Sequence, residues 1–521
     1  MKVVIPTAGL GSRLGSRTQF INKALLTVDH KPVIANIIDK FPSDTEFVIL
    51  LGYKGDQVKQ VLLAMYPEYA FQFVEVDKFE GEGSGLGYSL LCAEKYLQEP
   101  FIFVSNDSLV SDDTINHNPE LYGNWIGYYV SDRDDSFDVM QYRTLEINET
   151  SYLKKINPKG VNNNNIYIGI CGILDYELFW DEMHSATAIA SGESYGLQNL
   201  EDVYTVKMQS WCDTGNNISL QKTKDKFSTS GINVLEKDDE AIWFRNNNVY
   251  KFSIHESFIA DRVKRLETLP EFLFPKITHH SKNIYVYEKI QGEVISDKLN
   301  SISVEKLLSD MYTHLWSNRF ITSDKLVSHC FDFYKVKTFD RVNLFLDKFE
   351  VSDRAEIING LRTTKTIDLL NRVNWDDLCR NTYLSKYHGD FHCENILVDS
   401  NGEFTLIDWR QNFGKDNLDV GDAYYDFAKF YHGLIVSHHI IAQKQFNVDV
   451  NGNIITFDIH RLQSAISAES VFFDWLISHN FDVKKVKILT ALIFLNVAGL
   501  HEYPYSLFLY YLGKHLLTKW L

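Results

Sequence analysis

Two stretches of this chain hold residue types at spacings that could do chemistry. The first is His388-Gly389-Asp390-Phe391-His392-Cys393-Glu394-Asn395, followed by Leu406-Ile407-Asp408-Trp409. Asp390 and Asn395 stand at D-x-x-x-x-N spacing. There an aspartate can orient and deprotonate a hydroxyl while the asparagine helps hold a metal on a polyphosphate. Asn401-Gly402, set between apolar runs, predicts a two-residue hairpin loop. Paired positions would then sum to 401 + 402 = 803, which sets Asn395 opposite Asp408. Neighbouring strands are about 5 Å apart, close enough for both side chains to share one Mg²⁺.

The second stretch is Ala8-Gly9-Leu10-Gly11-Ser12-Arg13, directly after the apolar run Val3 to Ile5. Glycines in such a turn let backbone N–H groups approach phosphate oxygens. Arg13 adds a charged fork, and Lys23 could reach the same phosphates from the far side of the loop. Asp107 follows the apolar run Phe101 to Val104, and Asp213 lies in Trp211-Cys212-Asp213-Thr214-Gly215. Two carboxylates suit a Mg²⁺ that bridges a triphosphate and an acceptor phosphate. The competing structural reading makes Asp107 a loop cap and Asp213 a turn former.

These residues need a scaffold, and the first ~110 residues supply strand–helix alternation. Strands are expected at Val3 to Ile5, Phe47 to Leu51, Phe71 to Val76 and Phe101 to Val104. Helices are expected from Pro32 to Lys40, Asp56 to Met65 and Leu86 to Leu97. Continuous apolar strands alternating with helices imply a mainly parallel sheet covered on both faces. Ligands of such sheets bind beyond the carboxyl ends of the strands, which points to the loops after Ile5 and Val104. The polar run from Asn216 to Gly231 reads as a domain boundary, with a strand-rich stretch to Ile295 and a mostly helical remainder.

A length of 521 residues exceeds one ordinary hydrophobic core. The net charge of 52 − 69 = −17 makes the chain a poor binder of a nucleic acid polymer. Six scattered cysteines without a CxxC pair fit reduced thiols. Glycines interrupt the N-terminal apolar run too early for a signal peptide, and no apolar run reaches the ~18 residues of a membrane span. The expectation is a cytoplasmic protein with no membrane partner, and homo-oligomerisation is left open.

AGLGSR, Lys23, Ser105-Asn106-Asp107 and WCDTG, in that order, resemble the sugar-phosphate nucleotidylyltransferases, including the phosphocholine cytidylyltransferase branch. The resemblance covers about residues 1–225 and implies a Rossmann-like domain. It implies that Gly9, Gly11 and Arg13 hold a triphosphate and that Lys23 aids pyrophosphate departure. Asp107 and Asp213 would ligate Mg²⁺, and the turn at Ser84 and Gly85 would pack on the base. Asn22-Lys23 stands where the family has Pro-Lys. The family's Glu-Lys-Pro has no clean counterpart, Lys154 to Lys159 being the nearest stretch.

The Asp390–Asp408 segment, with Gly421-Asp422-Ala-Tyr-Tyr-Asp426-Phe-Ala-Lys429, resembles the aminoglycoside phosphotransferase and choline kinase superfamily. This resemblance implies a bilobal, protein-kinase-like α+β domain with lobes at 226–295 and 296–521. Lys251 would hold ATP phosphates, with Glu256 or Asp261 as its carboxylate partner. The strand ending at Glu288 would be the adenine hinge, and His388 would brace the catalytic loop. Asp422 and Asp426 read equally as helix-capping acids or as site residues.

Together the two resemblances imply a bifunctional α/β enzyme. An alcohol (choline or ethanolamine, a polyol or a sugar) is phosphorylated by ATP, and the monoester is joined to a nucleotide, with CTP favoured. The product would serve surface-glycan or capsule synthesis. The alternative is a kinase alone, with the N-terminal domain a nucleotide-binding scaffold. Asp390, Glu394, Asp408, Asp416, Asp419, Asp422 and Asp426 fall within 37 residues. That density would draw a cationic acceptor, with Tyr424, Tyr425 or Trp409 against its ammonium. The bland alternative is a set of capping acids around a neutral acceptor.

Overall fold

The structure is a computed structural model of the whole chain, and it describes all residues except 112, 132–137, 228–238, 318, 321–322 and 415–418. It divides into two compact units, Met1–Glu256 with Thr278–Tyr287, and Ser257–Ile277 with Glu288–Leu521. The stretch 226–295 is therefore shared between the units.

The first unit is built on a nine-stranded sheet. At its centre Phe101–Val104, Lys2–Pro6, Glu46–Leu51 and Ala70–Glu75 lie side by side in that order, all parallel. Val3, Val4, Ile5 and Phe47 through Leu51 are fully buried, as strands covered on both faces require. Asn165–Ile173 continues the sheet antiparallel to Phe101–Val104. Sequence order reverses between Lys2–Pro6 and Phe101–Val104. Their two carboxyl-end loops therefore diverge around a crevice, the place where open α/β sheets bind ligands.

The expected strands are present to within a residue, and the helices differ at their ends. Pro32 caps Val33–Ile38 and is not itself the first helical residue. The helix from Leu86 stops at Leu91, and a 3-10 turn at Glu94–Tyr96 completes the segment. The polar run read as a domain boundary begins as a helix, Asn217–Phe227, and the rest of it lies outside the described residues. The helix buries Leu220, and Thr223 donates to the carbonyl of Asp213 at 2.9 Å.

Also in the first unit, a four-stranded sheet contains Glu240–Arg245 and Asn248–Ser253. Trp243 donates to the Thr27 hydroxyl at 2.9 Å. Arg245 pairs with Asp39 and Glu68 and lies over the Tyr66 ring at 3.8 Å. These contacts tie the strand pair to the parallel-sheet region.

The second unit is mainly helical, with the long helices Ala423–Ile435, Gln463–Ser478, Val483–Ala498 and Tyr505–Trp520 around an aromatic core. Among the described residues no helix is long and apolar enough to cross a membrane.

The hairpin after Asn395 corrects the expected register. Ile396–Val398 pairs with Phe404–Leu406 as Ile396↔Leu406 and Val398↔Phe404, so paired positions sum to 802. The loop has three residues, not two. The Asp399 carboxylate accepts from the N–H groups of Asn401 and Glu403, and Gly402 takes φ +79°. A side chain acting as a turn acceptor lengthened the loop by one residue. Asn395 therefore faces Ile407, whose N–H donates to its carbonyl at 2.9 Å. Gly402→Ala should cost about 1–2 kcal/mol in denaturant unfolding of the second unit, because only Gly402 carries a left-handed φ in this loop. Asn401→Ala should cost less than half as much. Equal costs would indicate a two-residue loop in which both positions have positive φ.

Candidate functional site

In the first unit the crevice holds Arg13, Lys23, Asp107 and Asp213. Lys23 Nζ lies 3.3 Å and Arg13 3.7 Å from Asp107 Oδ2, while the Ser105 hydroxyl donates to Oδ1 at 2.5 Å. Burial works against the Asp107 charge, but Lys23, Ser105 and Arg13 outweigh it and hold the pKa at about 2. Asp213 is fixed by its short strand pairing Cys212–Asp213 with Ser108–Leu109. It accepts from the Gly215 N–H at 2.8 Å and the Tyr142 hydroxyl at 2.9 Å. Burial, then the charge of Asp107, raises its pKa.

The two carboxylates converge on Gly215. A side chain there would meet Asp213 Oδ1 at 3.0 Å, with Arg13 and Asp107 Oδ2 each at 3.1 Å. The buried Asn106 amide beside them has no hydrogen-bond partner on either atom among the described residues. Two close carboxylates, one with its pKa raised by the other, fit a divalent cation.

Loop geometry explains the glycines and the departure at Asn22. Gly9 faces open space, and Gly11 has φ +69°. The Asn22 amide donates to the carbonyls of Thr7 at 3.0 Å and Tyr53 at 2.6 Å, and its oxygen accepts from Ala24 N–H. Hydrogen bonds thus pin the segment before Lys23 that a proline ring would stiffen in other chains. Ser84 closes a turn on the Gly81 carbonyl at 2.7 Å, next to Gly85 at the start of its helix.

Lys159, unassigned from sequence, belongs with this group. Burial lowers its pKa, and the nearby charges of Arg13 and Arg143 lower it further against Asp107 and Asp213. Its signal was present in Lys154 to Lys159 but lacked the family's flanking residues.

In the second unit the catalytic-type loop is held from several sides. The Asp426 carboxylate accepts from the N–H groups of His388 and Gly389, both at 2.7 Å, and from Trp316 at 3.1 Å. Burial raises its pKa to about 6 even against those donors. His388, fully buried, accepts from Asp390 N–H at 3.2 Å and reaches the Ile407 carbonyl at 2.9 Å. Burial lowers its pKa to about 3, so it is a neutral brace.

Asp390 Oδ1 pairs with Lys429 at 2.8 Å, and His392 stands 3.7 Å from Oδ2. Burial opposes the Asp390 charge, but Lys429 and His392 hold its pKa well below the usual range. The Asn395 amide donates to the Asp390 carbonyl at 3.0 Å. Asp408 lies one residue beyond the paired register, at φ +58°, with Arg262 at 3.6 Å.

The sequence points to an acid on the helix Glu256–Leu266, but two arginines of that helix make the contacts to the loop. Glu256 is exposed and lies 4.0 Å from Lys282. Arg262 faces Asp408, and the fully buried Arg265 donates to the carbonyls of Tyr387, His388 and Arg410. Lys251 lies on Asn248–Ser253, and Glu288 ends Ile284–Glu288.

The acidic run is largely neutralised. Asp422 caps its helix and pairs with Lys485 at 2.9 Å, and Glu394 pairs with His392 at 2.9 Å. Asp416 falls outside the described residues. Trp409, Tyr424 and Tyr425 are core residues exposed by 0%, 6% and 6%, so the core reading of these aromatics holds.

The phosphotransferase enzyme family (APH) model matches residues 362–444, across this loop. The N-terminal region matches sugar-phosphate nucleotidylyltransferases. Relatives include the UTP–glucose-1-phosphate uridylyltransferase of Haemophilus ducreyi, 28% identical over 23% of this chain and 48% of that protein. Another is a probable glucose-1-phosphate cytidylyltransferase of Bacillus subtilis, 35% identical over 17% of this chain and 34% of that protein. Two transferase-type regions share this chain. It spans about a third to a half of the length of these curated relatives. Among solved structures, CTP:phosphocholine cytidylyltransferase from Streptococcus pneumoniae aligns at 18% identity and TM-score 0.36, covering 44% of this chain and 99% of that one.

The loop geometry gives a pH prediction. Burial works against the His392 imidazolium, but Asp390 and Glu394 outweigh it and raise its pKa to about 9. The folded-state value lies above the ordinary 6.5, so this stabilisation is complete below about pH 6.5 and lost as pH rises through about 9. The thermal midpoint of the wild-type chain should fall across that window more steeply than that of His392→Gln. Equal slopes would show that the imidazolium is not held by these carboxylates.

Proposed function

We propose that the chain is a bifunctional transferase that phosphorylates an alcohol with ATP and couples the monoester to a nucleotide. The observation that carries this reading is the presence, in one chain, of two separately compensated carboxylate centres, Asp107 with Asp213 and Asp390 with Asp408.

In the first half-reaction Asp390 accepts the acceptor's hydroxyl proton, the new O–P bond forms, and the bond from the γ-phosphorus to the bridging oxygen breaks to release ADP. Lys429 and His392 hold the carboxylate in place. Asn395 and Asp408 would hold Mg²⁺, with Arg262 giving up its position beside Asp408. Lys251 and the strand ending at Glu288 are assigned to ATP by their motifs.

In the second half-reaction a phosphate oxygen of the monoester attacks the α-phosphorus of the nucleotide, and pyrophosphate leaves. Gly9, Gly11 and Arg13 would receive the triphosphate, Lys23 the departing pyrophosphate, Lys159 the acceptor phosphate, and Ser84 with Gly85 the base. Asp107 and Asp213 would hold Mg²⁺. The metal, when bound, neutralises phosphate charge at each centre. We favour CTP as donor and a cytoplasmic setting, with the product an activated precursor for surface-glycan assembly.

Asp390→Ala should lower ADP formation by about 10²–10⁴-fold while pyrophosphate release from supplied monoester and CTP stays within twofold. Asp107→Ala should do the reverse, because centres without shared partners do not couple. Loss of both half-reactions from either substitution in a folded chain would refute two separate sites.

A further inference from the structure

Several cations border the phosphotransfer loop, and three of them have no carboxylate partner among the described residues. Lys429 is matched by Asp390 at 2.8 Å. Arg410 is not matched. Its stem lies against Gly389, where an added side chain would collide with its Cβ, and its Nε donates to the Asn412 carbonyl at 3.1 Å. The Arg410 guanidinium lies 4.6 Å from the Phe333 ring centre, and Lys337 Nζ lies 4.5 Å from the same ring.

A π-helical turn at Phe331–Val336 precedes the helix Lys337–Lys348. It brings Phe333 and Lys337 onto one face, and Arg341 follows one turn later on that face. Asp332 and Asp340 belong to the same helical run. Among the described residues, neither they nor any other carboxylate lies within 4.0 Å of Lys337, Arg341 or Arg410.

Partly buried cations without partners are costly, and a protein retains them where a ligand supplies the opposite charge. Burial, and then the charges of Arg410, Lys429 and Arg341, press the Lys337 ammonium well below the ordinary lysine range. An anion arriving there would relieve that repulsion.

We infer that the alcohol phosphorylated at Asp390 carries an anionic group of its own, a carboxylate or a phosphate ester, received by Lys337, Arg341 and Arg410. The inference rests on the phosphotransferase reading and narrows its substrate class. It replaces the cationic acceptor that the acidic run could draw, since Asp390, Glu394, Asp408 and Asp422 already have basic partners.

The test is calorimetry on the full chain. Mg²⁺ with a non-hydrolysable ATP analogue is titrated first. Failure of the analogue to bind would overturn the phosphotransferase reading, and this inference with it, before any acceptor is added. With the analogue bound, D-glycerate (carboxylate), glycerol 3-phosphate (phosphate ester), glycerol and choline are titrated in turn. Glycerate or glycerol 3-phosphate should bind at least tenfold more tightly than glycerol and choline, and the stronger of the two identifies the anionic group. Lys337→Met should weaken that anion at least tenfold and leave the analogue's Kd within twofold, with Lys337→Arg restoring most of the loss. The thermal midpoint of Lys337→Met should equal or exceed that of the wild type, because an unpaired charge has been removed. The inference is overturned if choline or glycerol binds as tightly as the anions, or if neither anion binds. It is overturned equally if Lys337→Met weakens the analogue in place of the anion, since the cations would then serve ATP.

Discussion

A carboxylate taken out of water must find cations or hydrogen-bond donors, and both carboxylate clusters are organised by that requirement. Asp426 shows it most plainly. It is fully buried and receives the backbone N–H groups of His388 and Gly389 together with the indole of Trp316. The loop that carries Asp390 is thereby fixed from below, and His388 and Arg265 fix it from the sides. Removing Asp426 would orphan three donors at once, so the position of Asp390 depends on a buried residue 36 positions along the chain.

In the first unit the same requirement is met by topology. The order of the central strands puts the carboxyl ends of Lys2–Pro6 and Phe101–Val104 beside a crevice. Lys23 and Arg13 come from one edge of it and Asp107 from the other, and the three meet within 3.7 Å. Asp213 arrives from a distant segment through a two-residue strand, held further by the helix Asn217–Phe227. A sheet that reversed elsewhere would leave these charges unpaired.

Legibility in the sequence followed the strength of the local signal. Continuous apolar runs gave the central strands to within a residue, since a strand covered on both faces has no polar position to blur it. The polar run from Asn216 hides the helix Asn217–Phe227, because its buried face is short and its exposed face is Lys-rich. The hairpin register slipped by one because Asp399 turns its side chain onto the loop backbone, an interaction that Asn401-Gly402 does not announce. Arg262 and Arg265 were not legible because their partners, Asp408 and the His388 carbonyl, lie far along the chain. Arg13, Lys23, Asp107 and Asp213, picked out from separate motifs, do meet in one crevice, because the loops after Lys2–Pro6 and Phe101–Val104 and the short pairing of Asp213 come together there.

The acidic run after Asp390 shows why charge counted along a sequence differs from the field at a site. Nine acids in the 37 residues from Asp390 to Asp426 suggest a negative pocket. Asp422 instead meets Lys485, Glu394 meets His392, Asp390 meets Lys429 and Asp408 meets Arg262. Most of those bases come from distant segments, so the neutralisation is invisible in any local window. Lys337, Arg341 and Arg410 then dominate, because charges already paired at 3–4 Å act at longer range as weak dipoles while unpaired ones keep their full reach. The residues that decide the polarity of such a site are those whose partner is missing.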